Sequence, residues 1–136
     1  MVVDTLSDGT RIAQLLASEL TGHEDAFSTL AVVDADPDVE PTEDGALAYA
    51  VNAADERVAE VYVQPDRARV EFVVHPDVTA DAASDANLRV RPKAVHPPRT
   101  LVFVEDGAQV KWVLPAFHAL VEAREIESES DGETPE

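Results

Sequence analysis

The stretch ALAYAVNAADERVAEVYVQPDRARVEFVVH, residues 46–75, decides the fold. Apolar and polar residues alternate in it over three runs. Leu47, Tyr49 and Val51 alternate within 46–53, and RVAEVYVQ follows at 57–64. In 69–75, Val70, Phe72 and Val74 face one way while Arg69, Glu71 and His75 face the other. A period of two over short runs marks strands with one buried face. The links ADE (54–56) and PDRA (65–68) are short turns, so the three runs are expected to form an antiparallel meander.

Upstream, TRIAQLLASELT (10–21) puts Ile12, Leu15, Leu16 and Leu20 on one helical face. Ser7 or Asp8 can cap its start, and Gly22 suits the left-handed position after its end. FSTLAVV (27–33) reads as a strand. DADPDVEPTEDG (34–45), with six acids and two prolines, reads as an exposed loop. Downstream, 76–87 is either a short helix, capped by Thr79 or Asp81 and ending at Ala86, or a loop. LRVRP (88–92) alternates as a strand, and Pro97 and Pro98 stop regular structure after it. TLVFVED (100–106) and GAQVKWVL (107–114) read as a hairpin turning at Asp106-Gly107. Pro115 suits the first turn of a last helix, PAFHALVEAREI (115–126), with Phe117, Leu120 and Val121 on one face. Val110, Trp112 and Leu114 are expected to pack beneath it.

The order predicts an α+β fold. It has a mostly antiparallel sheet of about six strands, with an N-terminal and a C-terminal helix packed on one face. Residues 1–126 form one domain, and the acidic segment 127–136 is expected to be disordered.

Composition narrows the chemistry. The chain has 28 acidic and 10 basic residues, a formal charge of −18, no cysteine, and only two lysines, Lys93 and Lys111. This composition resembles the acidic proteins of halophilic archaea. The resemblance implies a cytoplasm at molar salt, where the Debye length is about 3 Å and dense carboxylates barely repel. Without cysteine there is no disulfide, thiol nucleophile or thiolate metal site. The N-terminus MVVDTLSDGT has no basic leader, and no apolar run approaches a membrane span, so a cytoplasmic protein with no membrane partner is expected.

Of the five glycines, Gly9 and Gly22 flank the first helix, Gly45 ends the acidic loop, Gly107 makes a turn and Gly132 lies in the tail, so none is left for a phosphate-cradling loop. No nucleophile elbow is present. His23, His75, His96 and His118 never pair at metal-ligand spacing, so no metal or cofactor is expected. His75 and His96 each precede a proline and read as extended strand ends. They form a site only if they converge. Glu60 and Glu71, on neighbouring strands, read as part of a solvated sheet face beside Arg57, Arg67 and Arg69. An enzyme is therefore the weaker expectation.

What remains is a basic island, LRVRPKAVHPPR (88–99). It holds Arg89, Arg91, Lys93 and Arg99 and no acid. Arg89, Arg91 and Lys93 would project from one face of a strand, and Arg67 and Arg69 could join them. The default reading is pairing with the chain's own acids. A second is a protein interface, a homodimer included. A third is nucleic-acid or anion binding through Arg67, Arg69, Arg89, Arg91, Lys93, His96 and Arg99. Molar salt disfavours the third, and so does the absence of an interleaved aromatic, since Phe72 and Phe103 both read as core. The leading expectation is a non-enzymatic interaction or binding module. The element order is loosely similar to small α+β proteins of the double-wing type, some of which are thought to bind DNA, though no motif carries that likeness.

The acidity makes salt a structural requirement. Transfer from 2 M to 20 mM KCl lengthens the range of carboxylate repulsion and should lower the melting point and weaken the near-UV circular dichroism. Identical melting curves at both salt concentrations would remove the solvent explanation for the charge.

Overall fold

In a computed structural model, which describes residues 8–22, 27–95 and 97–132, the chain forms three helices and six strands. The order is α1 (Gly9–Gly22), β1 (Leu30–Val33), β2 (Ala46–Ala53), β3 (Glu56–Gln64), β4 (Arg67–Phe72), α2 (Pro76–Asp85), β5 (Arg89–Lys93), β6 (Arg99–Val104) and α3 (Gly107–Gly132). The fold is α+β. All strand pairs are antiparallel, in the order β1-β2-β3-β4-β6-β5, and α1 and α3 both contact the sheet. Strands β2, β3 and β4 are the expected meander. β6 pairs with β4 on one side and with β5 on the other, which leaves β5 at the edge.

Alternation fixes the two faces. Ala59, Val61 and Val63 of β3 lie opposite Phe72, Val70 and Ala68 of β4, and these lie opposite Thr100, Val102 and Val104 of β6. All are buried against the helices. The helices answer with Ile12, Leu16 and Leu20 from α1 and with Val110, Val113, Phe117 and Leu120 from α3, while Leu15 stays exposed. Phe72 and Phe117 meet edge to face, their ring centroids 4.9 Å apart. The Tyr49 hydroxyl donates 2.7 Å to the carbonyl of Ala13 on α1, which satisfies a buried phenol whose pKa burial pushes upward.

Three expectations need correction. Residues 107–114 are the first turns of α3, not a strand. Asp106 Oδ1 accepts the Gln109 backbone N–H at 3.0 Å, and Gln109 Oε1 accepts the Glu105 backbone N–H at 2.8 Å. This reciprocal cap commits the chain to a helix at the point where a turn was expected. The helix then runs through Pro115, which is exposed and forgoes one intrahelical bond, and leaves Trp112 43% exposed rather than in the core. Second, the β2 register shifts between Leu47 and Tyr49. Leu47 therefore lies opposite Tyr62 and is exposed, while Tyr49 lies opposite Val61 and is buried. Third, His75 is not extended. It takes the left-handed region (φ 50, ψ 55) at the N-cap of α2, so the helix of the two alternatives forms. That helix starts at Pro76 and is not capped by Thr79 or Asp81 as expected; Thr79 lies inside it and donates its hydroxyl to the His75 carbonyl.

α3 continues to Gly132, six residues into the segment 127–136 set apart from the domain in the sequence reading. Among the described residues no helix is long and apolar enough to cross a membrane.

Asp8 caps α1, accepting the Thr10 and Arg11 backbone N–H groups at 3.0 and 3.2 Å. Gly9, the first residue of that helix, is pressed against the β3–β4 turn. A Cβ there would stand 1.9 Å from the Gln64 carbonyl oxygen and 2.5 Å from that of Arg67. Both obstacles are backbone, so neither can rotate away. Gly9→Ala should destabilise the fold by about 1–3 kcal/mol in urea titration, whereas Gly22→Ala, with nothing within 4 Å, should not.

Candidate functional site

The sheet face away from the helices gathers the charges. The residues alternating with the core positions are Glu60, Tyr62 and Gln64 on β3, Arg67, Arg69 and Glu71 on β4, Arg99, Leu101 and Phe103 on β6, and Arg89, Arg91 and Lys93 on β5. With Arg57, opposite Asn52 at the start of β3, seven of the chain's ten basic residues stand on this face.

Its centre is Glu71. The side chain is 1% exposed, although it belongs to the face without helices. Its neighbours cover it and hold its charge. Arg99 Nη1 donates 2.8 Å to Oε1, Arg69 Nε donates 3.0 Å to Oε2, and Lys93 Nζ stands 3.5 Å from Oε1. Glu60 is its cross-strand partner and shares the same Arg99 nitrogen at 3.0 Å. Glu60 also accepts from Arg57 Nη1 at 3.2 Å and from the Tyr62 hydroxyl at 2.6 Å.

Burial pushes the Glu60 pKa up, but the hydrogen bonds from Tyr62, Arg57 and Arg99 outweigh it and hold the carboxyl below its ordinary value. The Tyr62 pKa is pushed up to about 12, by burial first and then by Glu60. A general acid needs a raised carboxyl pKa. Glu60, held ionised beside Arg99, is suited to anchoring charge instead. The two acids are therefore a buried network rather than the solvated face expected from sequence.

Around this centre Arg67 and Arg57 are each held by two carboxylates, whereas Arg89 and Arg91 are less occupied. Arg67 Nη1 donates 3.0 Å to Glu105 Oε2 and its Nε donates 3.1 Å to Asp66 Oδ1. Arg57 also pairs with Asp34. Arg89, 56% exposed, lies 3.7 Å from Glu105. Arg91 is exposed and forms no ion pair among the described residues. Six of the seven cations thus share five carboxylates (Asp34, Glu60, Asp66, Glu71 and Glu105), and with Arg91 the cations exceed these carboxylates by two in a chain of −18.

Five of these side chains make one row across five strands. Leu47 lies opposite Tyr62, Tyr62 opposite Arg69, Arg69 opposite Phe103, and Phe103 opposite Arg89. The Arg69 guanidinium carbon stands 4.7 Å from the centroid of the Tyr62 ring. Phe103 is half-buried on this face and is not a core residue as expected. An aromatic is therefore interleaved with the cations. The sequence could not assign it, because TLVFV is apolar on both faces and parity alone does not say which one is covered.

Gly45 closes the border of the face. It has φ +95, and a Cβ there would lie 2.9 Å from Arg69 Nη2, while Arg69 Nη1 donates 3.1 Å to the Asp44 carbonyl.

The sheet thus brings together six of the seven residues singled out in sequence: Arg67, Arg69, Arg89, Arg91, Lys93 and Arg99. The seventh, His96, lies outside the described residues, as does His23. His75 lines a separate cavity of about 580 Å³ with Glu56, Asp77, Pro97 and Pro98. Among the described residues no group of histidines and carboxylates is arranged to hold a metal ion.

The sign of the Glu60 shift gives a pH test. A carboxyl held below its ordinary value stabilises the fold above that value, and the contribution is lost as pH falls through the folded one. Glu60→Gln should cost about 1–2 kcal/mol near neutrality. The gap from the wild type should narrow below about pH 4.3 in paired urea titrations. A gap independent of pH would contradict the network.

No curated protein and no solved structure matches the chain. A family model described as a family of unknown function (DUF7993) matches residues 1–134, and the chain belongs to that family.

Proposed function

We propose that the protein is a non-enzymatic binding module that takes an anionic partner on the helix-free face of its sheet. The observation that carries this reading is the partition of charge. Seven of ten basic residues lie on one face, and the three on edge strand β5 are the ones most open to solvent or least satisfied. Arg, which predominates here, offers a planar fork of donors that remains useful where salt screens simple charge attraction. The buried acids keep Arg69 and Arg99 in place, so the β5 cations stand beside an ordered network when a ligand arrives. The remaining surface is acidic and repels the same ligand, which favours encounter on this one face.

The test compares polyphosphate binding by the wild type, by Arg91→Ala/Lys93→Ala, and by Arg11→Ala/Lys111→Ala, which removes two cations from helices. At 0.1 M salt the β5 variant should bind at least tenfold more weakly and the helix variant should match the wild type. Amide shifts on titration should concentrate in β4, β5 and β6. Equal losses in the two variants would mean non-specific attraction, and shifts confined to the helices would place the site elsewhere.

A further inference from the structure

We propose that the anionic partner is a single-stranded nucleic acid, its phosphates along β5 and a base stacked on Phe103. This rests on the reading of the helix-free face as the anion site and adds what kind of anion fits it.

The first ground is spacing. Arg89, Arg91 and Lys93 alternate along β5, so their attachment points repeat about every 6.7 Å on one side of the strand. Successive phosphates in an extended nucleic-acid strand are separated by a comparable distance. Three cations in a line therefore match three consecutive phosphates.

The second ground is what lies beside that line. Phe103 is the cross-strand neighbour of Arg89 on one side and of Arg69 on the other. It is half-buried, so its ring is fixed but not covered. One step further in, Tyr62 lies beneath the Arg69 guanidinium. A base turned inward from a backbone on β5 meets an aromatic ring flanked by two guanidinium groups. Every base has a π-face, so this recognition tolerates any sequence. An acidic peptide would use the three cations but has no need of the ring. A duplex keeps its base faces stacked inside, and a sheet with half-buried aromatics has no protruding element to enter a groove.

The third ground is the edge itself. β5 contains Pro92, which has no N–H to give to an incoming strand. That counts against a protein partner that would extend the sheet, and leaves the face, not the edge, as the contact.

The central arginines are committed to Glu60 and Glu71, so few cations remain for phosphates. With about three neutralised, the logarithm of affinity should fall with the logarithm of salt at a slope of about −2. The stacked base adds a part of the affinity that salt does not screen, which lets the contact survive in the ionic conditions the acidic composition implies.

The experiment is fluorescence anisotropy with labelled twelve-residue oligothymidylate and oligouridylate, the corresponding duplex, and polyglutamate of equal charge. Wild type, Phe103→Leu and Arg91→Ala are compared, each checked for native circular dichroism. Either single strand should bind at least tenfold more tightly than the duplex or polyglutamate. Phe103→Leu should lose roughly tenfold while keeping the salt slope. Arg91→Ala should lose affinity and reduce the slope by about 0.7. If polyglutamate or duplex binds as well as the single strands and Phe103→Leu is silent, the nucleic-acid assignment fails and the anion face stands. If none of the polyanions binds, both fail.

Discussion

A single buried carboxylate organises the polar half of this protein. Glu71 sits in the middle of β4, covered by its own neighbours, on the face that no helix protects. An unpaired charge in that position costs several kcal/mol, and removing one partner of a buried pair typically costs about 3–5 kcal/mol. The chain must therefore bring cations to Glu71, and it takes them from three strands. Arg69 comes from β4 itself, Arg99 from β6 and Lys93 from β5. Glu60, across on β3, is drawn in through the shared Arg99. Four strands are tied together through two carboxylates. The positive face and the edge position of β5 are thus parts of one electrostatic arrangement.

The opposite face works by volume. Apart from Phe72, its inward positions along the β3–β4 pair are Ala59, Val61, Val63, Ala68 and Val70, small side chains that let the helices approach closely. Gly9 shows the limit of that approach, where α1 begins against the carbonyls of the β3–β4 turn with no room for a methyl group. A core of Ala and Val buries less apolar area per residue than one of Leu and Phe. The edge-to-face pair of Phe72 and Phe117 adds an aromatic contact across the two layers. On the same face the Thr100 hydroxyl donates 2.7 Å to the Pro76 carbonyl and fixes the start of α2 beside β6.

How much of this could be read from sequence follows from what periodicity encodes. Val70, Phe72, Arg69 and Glu71 were assigned to their faces because β4 alternates cleanly, and the meander followed from its short turns. Residues 107–114 misled because two local signals compete there. Asp106-Gly107 followed by alternating Val110, Trp112 and Leu114 suits a hairpin. Asp106 with Gln109 suits a helix cap, and Val110, Val113, Phe117 and Leu120 continue at helical spacing through Pro115. The second pattern is longer and buries more, and it prevails. The convergence of Arg67 and Arg69 with Arg89, Arg91, Lys93 and Arg99 needs β6 inserted between β4 and β5, a matter of strand order that no local pattern carries. The burial of Glu71 is hidden for the same reason, since its parity is that of a solvated residue.

The absence of acids from residues 88–99 now has a physical cause. Lys93 and Arg99 serve Glu71, and Arg89 leans toward Glu105, so an added carboxylate on β5 would compete for cations that a buried charge requires. The segment is first the counter-charge of the fold. Were that its whole purpose, however, every cation on it would have a carboxylate. Arg91 lies opposite Leu101, with no ion pair among the described residues, between two cations that are only partly satisfied. A chain with 28 acids had many ways to place one there. That Arg91 is left open, in line with Arg89 and Lys93 and one strand from Phe103, is the feature that charge balance does not explain and on which the proposed anion site rests.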